Sequence, residues 1–358
     1  MLPIEAPITP MLARSVGRIP PGMAYEPKWD GWRCLLFRDG ESVTLYSRRG
    51  TELTSFFPEL VAGAVAMLPE QCVLDGEIVI IDGGRLDYTK LAQRHSTADR
   101  AGGLAARMPA TLLAFDLLAF GQTDLMPAPQ RQRRELLEQL MAEVRWPFLL
   151  TPSTDDLAAA RHWFTMFEDA GLDGVIARPL GGRYLPGQRS IFKIKHVRTA
   201  DVVVGGYRLD RTSRPGRPSL GSLQVGLFDQ TGTFQFVGVC PGFPVAQRAE
   251  LAVMLSALEV PADAGGHRDH PWDPVAADAS GARVPDGADR WSGRPAEVVR
   301  LIDPVLVCEV SFDHLYEGVR FRSNASLIRW RPDRDPTSCT FDQLAIAQEG
   351  DLRAFLGS

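Results

Sequence analysis

The apolar and polar positions along the chain predict two successive sets of elements. In the first, residues 25–28, 32–38 and 42–47 read as strands, and Asp39-Gly40 signals a hairpin between the last two. Pro58 opens a helical pattern that runs to Leu68. Residues 72–81 form a strong strand pattern, turned by Asp82-Gly83-Gly84, and 88–95 a short helix. The Gly/Ala-rich run 101–107 is ambiguous. Residues 111–120 are almost wholly apolar except for Asp116, the signature of a buried strand. Helices follow at 129–144 and at 155–170, the latter stopped by Gly171, and then strands at 173–178 and 190–195. Residues 1–22 are Pro-rich and read as an extended arm.

The pattern changes at 196–201. Short strands at 202–208, 222–228 and 233–239 are separated by Gly-rich or polar turns, a helix follows at 244–258, and further strands lie at 304–312, 319–323 and 327–331. A three-strand meander, a helix and more strands fit a small barrel of the OB type. Residues 261–296 are rich in Pro, Gly, Asp and Ala and read as a long loop. The chain is therefore expected to be α+β, with one domain over 1–198 and an OB-fold β-barrel domain over 199–358. No internal repeat is visible.

Composition is that of a soluble globular protein: of 358 residues, 45% are hydrophobic and 23% charged. No secretion signal and no long apolar run stand out, which predicts a cytoplasmic protein with no membrane contact. Five widely spaced cysteines, with no C-x-x-C, argue for reduced thiols and against zinc. His267 and His270 sit in a loop-like stretch and are not expected to bind metal. A net charge of −5 neither requires nor forbids a nucleic-acid partner, which needs a local basic face.

One count changes the picture. Of 39 basic residues only four are lysines: Lys28, Lys90, Lys193 and Lys195. Arginine serves ion pairs and phosphate contacts but cannot lose its proton, so it cannot be a nucleophile. Lys28 stands beside Asp30-Gly31-x-Arg33, and Lys193 and Lys195 share one strand face. To attack phosphorus an amine must shed its proton, which neighbouring cations and burial favour. Glu77 and Asp173 close and open strands; each is a turn residue or a ligand to a hard divalent cation. Phe115 either fills core or stacks on a purine. Arg131, Arg133 and Arg134 lie in the first turns of a helix, as a solvated face or a phosphate-facing one. Arg208, Arg211, Arg214 and Arg217 recur every third residue between two strands, a spacing suited to tracking DNA phosphates.

These residues spell a series. Glu26-x-Lys28-x-Asp30-Gly31-x-Arg33 resembles motif I of the covalent nucleotidyltransferases, which comprise ATP-dependent DNA ligases, RNA ligases and mRNA-capping enzymes. Ser47-Arg48-Arg49-Gly50 resembles motif Ia, Leu74-Asp75-Gly76-Glu77 motif III, and Phe115-Asp116-Leu117 motif IIIa. Asp173-Gly174-Val175-Ile176-Ala177-Arg178 resembles motif IV, Lys193-Ile194-Lys195 motif V, and Arg331-Pro332-Asp333-Arg334 motif VI. The order is the family's, and the wording around the motifs is similar to that of bacterial end-joining ligases, in particular the stand-alone actinobacterial form, ligase C.

The resemblance implies an adenylyltransferase (ATP-grasp-like nucleotidyltransferase) domain of antiparallel sheets and helices before the OB domain. It implies ATP as cofactor, Mg2+ or Mn2+, and nicked duplex DNA as substrate. It also implies a monomer working in repair, with Ku or a primase-polymerase as possible partners. Lys28, Asp30, Lys193 and Lys195 would carry catalysis, with Lys28 taking AMP. Glu26 would lie at the adenine edge and Phe115 on the ring. Glu77 and Asp173 would act around ribose and metal. Arg33 and Arg48 would bind the nick phosphate and nearby backbone, Lys193 and Lys195 the α-phosphate, and Arg331 and Arg334 the leaving pyrophosphate. Motif IV usually begins with Glu rather than Asp173, and motif VI usually ends in Lys rather than Arg334. An RNA-directed enzyme and a non-catalytic nick-binding module are the alternatives.

Overall fold

The computed structural model describes residues 1–95, 101–166, 172–261, 270–285, 298–316, 318–344 and 352–356. The chain divides into two units, Met1–His196 with Ile346–Ser358, and Val197–Ala345. The C-terminal stretch thus joins the first unit, whereas the sequence pattern assigns it to the second domain.

The first unit holds two sheets. Strands β1 (Leu12–Ser15), β2 (Ala24–Pro27), β11 (Gly174–Arg178) and β12 (Arg189–Lys195) make a four-stranded sheet in the order β1-β12-β11-β2. β3 (Trp32–Asp39), β4 (Ser42–Ser47), β5 (Gln71–Val79), β8 (Thr111–Phe120) and β10 (Phe148–Leu150) run in the order β10-β8-β5-β3-β4, with β9 (Thr123–Asp124) beside β8. A small hairpin, β6 (Ile81–Asp82) with β7 (Arg85–Leu86), stands apart. Pairing is mainly antiparallel, but β1 joins β12 and β10 joins β8 in parallel. The N-terminal segment is therefore more than an arm: β1 extends a sheet, and Ile4 and Met11 are buried.

Alternation along the strands builds three layers. Cys34, Leu36, Cys72 and Leu74 point outward from the larger sheet and form a core with α1 (Pro58–Met67) and α4 (Gln130–Met141). Short helices α2 (Tyr88–His95) and α3 (Ala101–Arg107) also belong to this unit. Leu35, Phe37 and Val73 point the other way and meet Met11, Tyr184, Ile176 and Ile191 between the two sheets. Tyr25, Val175, Ala177 and Ile194 line the outer face of the smaller sheet beneath α5 (Leu157–Met166). By the same period of two, Glu26, Arg33, Asp75, Glu77, Arg178, Lys193 and Lys195 belong to the inner faces.

Arg133 on α4 is neither solvated nor aimed at a phosphate. It is fully buried and grips Asp116 through Nε at 2.7 Å and Nη2 at 3.0 Å. Arg134 instead pairs with Glu138 one turn on.

The second unit is a five-stranded antiparallel sheet. Its strands are β13 (Arg198–Leu209), β14 (Leu220–Phe228), β15 (Phe234–Pro241), β16 (Arg300–Phe312) and β19 (Ser326–Trp330), in the order β15-β14-β13-β16-β19. A two-stranded ribbon, β17 (Leu315–Tyr316) with β18 (Arg320–Phe321), accompanies it. The ladder does not close into a barrel among the described residues. One backbone bond, Ala325 N–H to Val239 O at 2.9 Å, links the lead-in of β19 to β15. Helix α6 (Val245–Ser256) fills the predicted place.

The stretch read as a long loop contributes to the core. It carries α7 (Pro274–Ser280), capped by the Asp273 carboxylate, and the buried Trp272. Trp272 stacks on Phe234 at 4.7 Å and donates its indole N–H to the Phe234 carbonyl. The pair lies where β13 bulges at Gly205, and a Cβ there would come within 2.5 Å of the Trp272 ring. His270 is buried and bonded through both ring nitrogens, to Ile302 O and Trp272 N–H; His267 lies outside the described residues.

Candidate active site

Lys28 follows β2 directly, and its backbone is tied to the start of β11. Its N–H donates to Gly174 O at 2.9 Å, and its carbonyl accepts from Asp173 N–H at 2.9 Å. Only glycine fits at 174: φ is +130°, and a Cβ would lie 1.9 Å from the Ile194 carbonyl oxygen. This close approach sets the Asp173 carboxylate against two amines. Lys28 Nζ donates to its Oδ2, and Lys195 Nζ lies 3.0 Å from the same oxygen. Lys193 shares the cluster: burial, then the charges of Lys195 and Lys28, hold its amine below the ordinary lysine range, with Asp173 pulling the other way and Arg48 adding to the lowering.

Lys28 and Lys195 meet on one carboxylate with Lys193 near them, so Asp173 sits among the amines rather than apart from them. In this arrangement the Lys28 amine is held by a carboxylate and must leave it to attack a phosphate.

Glu77 projects toward the same place from β5. Burial pushes its carboxyl from 4.5 up to about 7, against the pull of Arg33 and Lys28 and with help from Asp30 and Asp75. Asp30 is half-buried beside it. Arg48 and Arg49 are exposed on the turn after β4. Among the described residues no group of three or more His, Cys, Asp or Glu converges to hold a metal unaided. Two acids facing the amines fit a hard cation that takes its remaining ligands from substrate phosphate and water.

A second network lies alongside. Arg33 forks onto the fully buried Asp75, with Nη2 at 2.6 Å, and Tyr184 donates its hydroxyl to the same carboxylate at 2.7 Å. Arg178 donates to Glu26 Oε2 at 2.8 Å, while Glu26 Oε1 is buried with no hydrogen-bond partner in the protein. β8 bulges at Phe115: Asp75 faces Asp116, Gly76 faces Ala114, and Phe115 has no partner on β5. The bulge lets two consecutive residues serve one cluster. Asp116 takes Arg133 and, at 3.6 Å, Arg178, and the Phe115 ring lies 4.5 and 4.9 Å from the guanidinium carbons of Arg33 and Arg178. Tyr184 escapes a reading of the sequence alone, and the partners of Asp75, Arg133 and Arg178 do too. Tyr184 stands outside any motif, so nothing local marks it.

Arg331 and Arg334 belong to the second unit. Nη1 of Arg331 donates to both oxygens of Asp201 at 2.9 Å, its Nη2 to Asp333 at 2.9 Å, and Arg334 lies 3.6 Å from Asp201. Gln343 braces the Asp201 backbone through its N–H and its carbonyl. Elsewhere in that unit, Arg211, Arg214 and Arg217 are exposed on a hairpin closed by reciprocal bonds between Arg214 and Arg217, with Arg208 half-buried at its base. Arg248 of α6 joins it through Asp210 at 3.3 Å.

Residues 10–195 match the ATP dependent DNA ligase domain, and residues 216–334 match the ATP dependent DNA ligase C terminal region. The chain belongs to the ATP-dependent DNA ligases. DNA ligase C2 of Mycolicibacterium smegmatis is 48% identical over 96% of this chain and 96% of its own length. DNA ligase C of Mycobacterium tuberculosis is 46% identical over 96% and 95%. A solved Lig E DNA ligase shares the fold, with a TM-score of 0.53 and 16% identity over 90% of this ligase and 99% of that chain. The match decides for DNA over RNA as the nucleic acid. Among the described residues, no helix of the ligase is long and apolar enough to cross a membrane.

Proposed function

We propose that this DNA ligase seals 5′-phosphate/3′-hydroxyl nicks through a lysyl-AMP on Lys28. The observation that carries the reading is the meeting of Lys28 and Lys195 on Asp173, with Lys193 and Glu77 close enough to feel their charges. Lys28, as the neutral amine, attacks the α-phosphorus of ATP; the new N–P bond replaces the α–β anhydride bond, and pyrophosphate leaves. AMP then passes to the 5′-phosphate, and the 3′-hydroxyl displaces it. Positioning and charge neutralisation do most of the work in such transfers.

Lys193 and Lys195 hold the α-phosphate. Glu26 offers its unpartnered Oε1 to the adenine amino group, and Phe115 supplies a ring face to the base once the arginines near it give way. Arg33 and Arg48 bind the nick phosphate and backbone, Asp30 serves the steps at the nick, and Arg331 with Arg334 orients pyrophosphate. Glu77 and Asp173 would hold Mg2+ or Mn2+; bound there, the ion supplies charge that competes with the Lys28 ammonium for Asp173 and neutralises phosphate. The exposed arginines 211, 214 and 217, with Arg208, track duplex phosphates. The setting we infer is repair, with Ku or a primase-polymerase as partners.

Lys28→Ala tests the assignment. It is expected to abolish sealing of a 5′-phosphate nick with ATP while still sealing a nick that already carries AMP. Equal retention of both activities contradicts the nucleophile.

A further inference from the structure

Helix α8 (Leu352–Leu356) follows the second unit in sequence yet belongs to the first. The second unit is therefore joined covalently to the first at both of its ends. Leu352 is fully buried and donates its N–H to Gly84 O at 3.0 Å, on the β6–β7 hairpin. Phe355 meets Trp163 of α5 edge-on at 5.5 Å.

Leu352 shares one apolar cluster with Trp29, Val79, Leu113 and Leu172. Two of these have a special place in the chain. Trp29 follows Lys28, and Leu172 precedes Asp173. The backbones of Lys28 and Asp173-Gly174 are locked together, so the side chains flanking the amine and its carboxylate are anchored in the cluster that α8 completes. Trp29 is fixed further by its indole N–H, which donates to Thr151 Oγ1 at 3.1 Å.

We propose that α8 is a positioning element for adenylation: Leu352 and Phe355 hold the Trp29–Leu172 cluster so that Lys28 stays in line with the α-phosphate. The inference rests on Lys28 being the nucleophile. Glu26, Lys193 and Lys195, which we assign to the base and the phosphate, are carried by β2 and β12, whereas the cluster holds the chain neighbours of Lys28 and Asp173. Loosening it therefore slows attack without weakening ATP binding.

The test uses full-length Leu352→Asp and Leu352→Met. The Asp variant is expected to lose about tenfold or more in self-adenylation rate at saturating ATP, with KM for ATP held within about twofold. It still seals a pre-adenylated nick, and the Met variant restores the rate. Phe355→Ala, which removes the edge contact with Trp163 and trims the packing on the cluster, gives the same split at smaller amplitude and covers the case in which Leu352→Asp does not fold. Unchanged rates, a rise in KM alone, or equal loss in both steps overturns the inference. Normal adenylation in these variants, beside an inert Lys28→Ala, rejects the role of α8 and leaves the nucleophile standing.

Discussion

Asp173 is shared by Lys28 and Lys195, so in the proposed role the Lys28 amine must leave that carboxylate to react. Arg331 poses a related problem. Its Nη1 is taken by Asp201 and its Nε and Nη2 by Asp333, so it must exchange carboxylate for phosphate to serve ATP. Arg331→Ala is accordingly expected to slow self-adenylation far more than sealing of a pre-adenylated nick; equal loss in single-turnover assays of the two steps would remove motif VI from its assigned role. Glu77 carries a prediction about pH. Its folded value, about 7, lies above its unfolded 4.5, so the stability it contributes is full below 4.5 and lost as pH rises through 7. The loss is at most about 3 kcal/mol, and less because the side chain is part exposed. In denaturant titrations the advantage of Glu77→Gln over the native protein should grow across that window. Parallel stability curves would show that the carboxyl is not buried as described.

Period-two alternation makes the inner faces legible, because Arg33, Asp75 and Glu77, like Lys193 and Lys195, occupy alternate positions of their strands. What alternation cannot show is the bulge at Phe115, which turns two neighbours toward one cluster, or the parallel pairing of β1, whose partner lies far along the chain. Trp272 escapes the pattern because it stands alone in a run of Pro, Gly and Asp; its burial depends on a stacking partner in β15. Gly174 shows how an element terminus fixes chemistry. Gly174→Ala must overcome a 1.9 Å approach to a carbonyl at φ +130°, of which backbone strain alone costs about 1–3 kcal/mol. Its expected outcome is a lower melting temperature and a Lys28 that no longer takes AMP. A variant that melts and adenylates normally would refute the close approach.

The net charge of −5 conceals local basic surface, which is where DNA affinity must come from. The hairpin carrying Arg211, Arg214 and Arg217 is ordered by its own hydrogen bonds, so its charges are presented rather than scattered. Replacing all three with alanine is expected to flatten the dependence of log binding constant on log salt by about 2 to 3, near 0.9 for each phosphate no longer neutralised, alike for nicked and intact duplex. An unchanged slope would place the DNA-binding charges elsewhere.

The far return of the chain to complete the Trp29 cluster is invisible to local pattern, since Leu352 and Phe355 look like any short apolar stretch. Every role assigned to these side chains depends on one covalent bond. Mass spectrometry of the purified ligase after incubation with ATP and Mg2+, followed by peptide mapping, should find one added AMP and locate it on Lys28. AMP on any other residue, or its persistence in Lys28→Ala, would contradict the account.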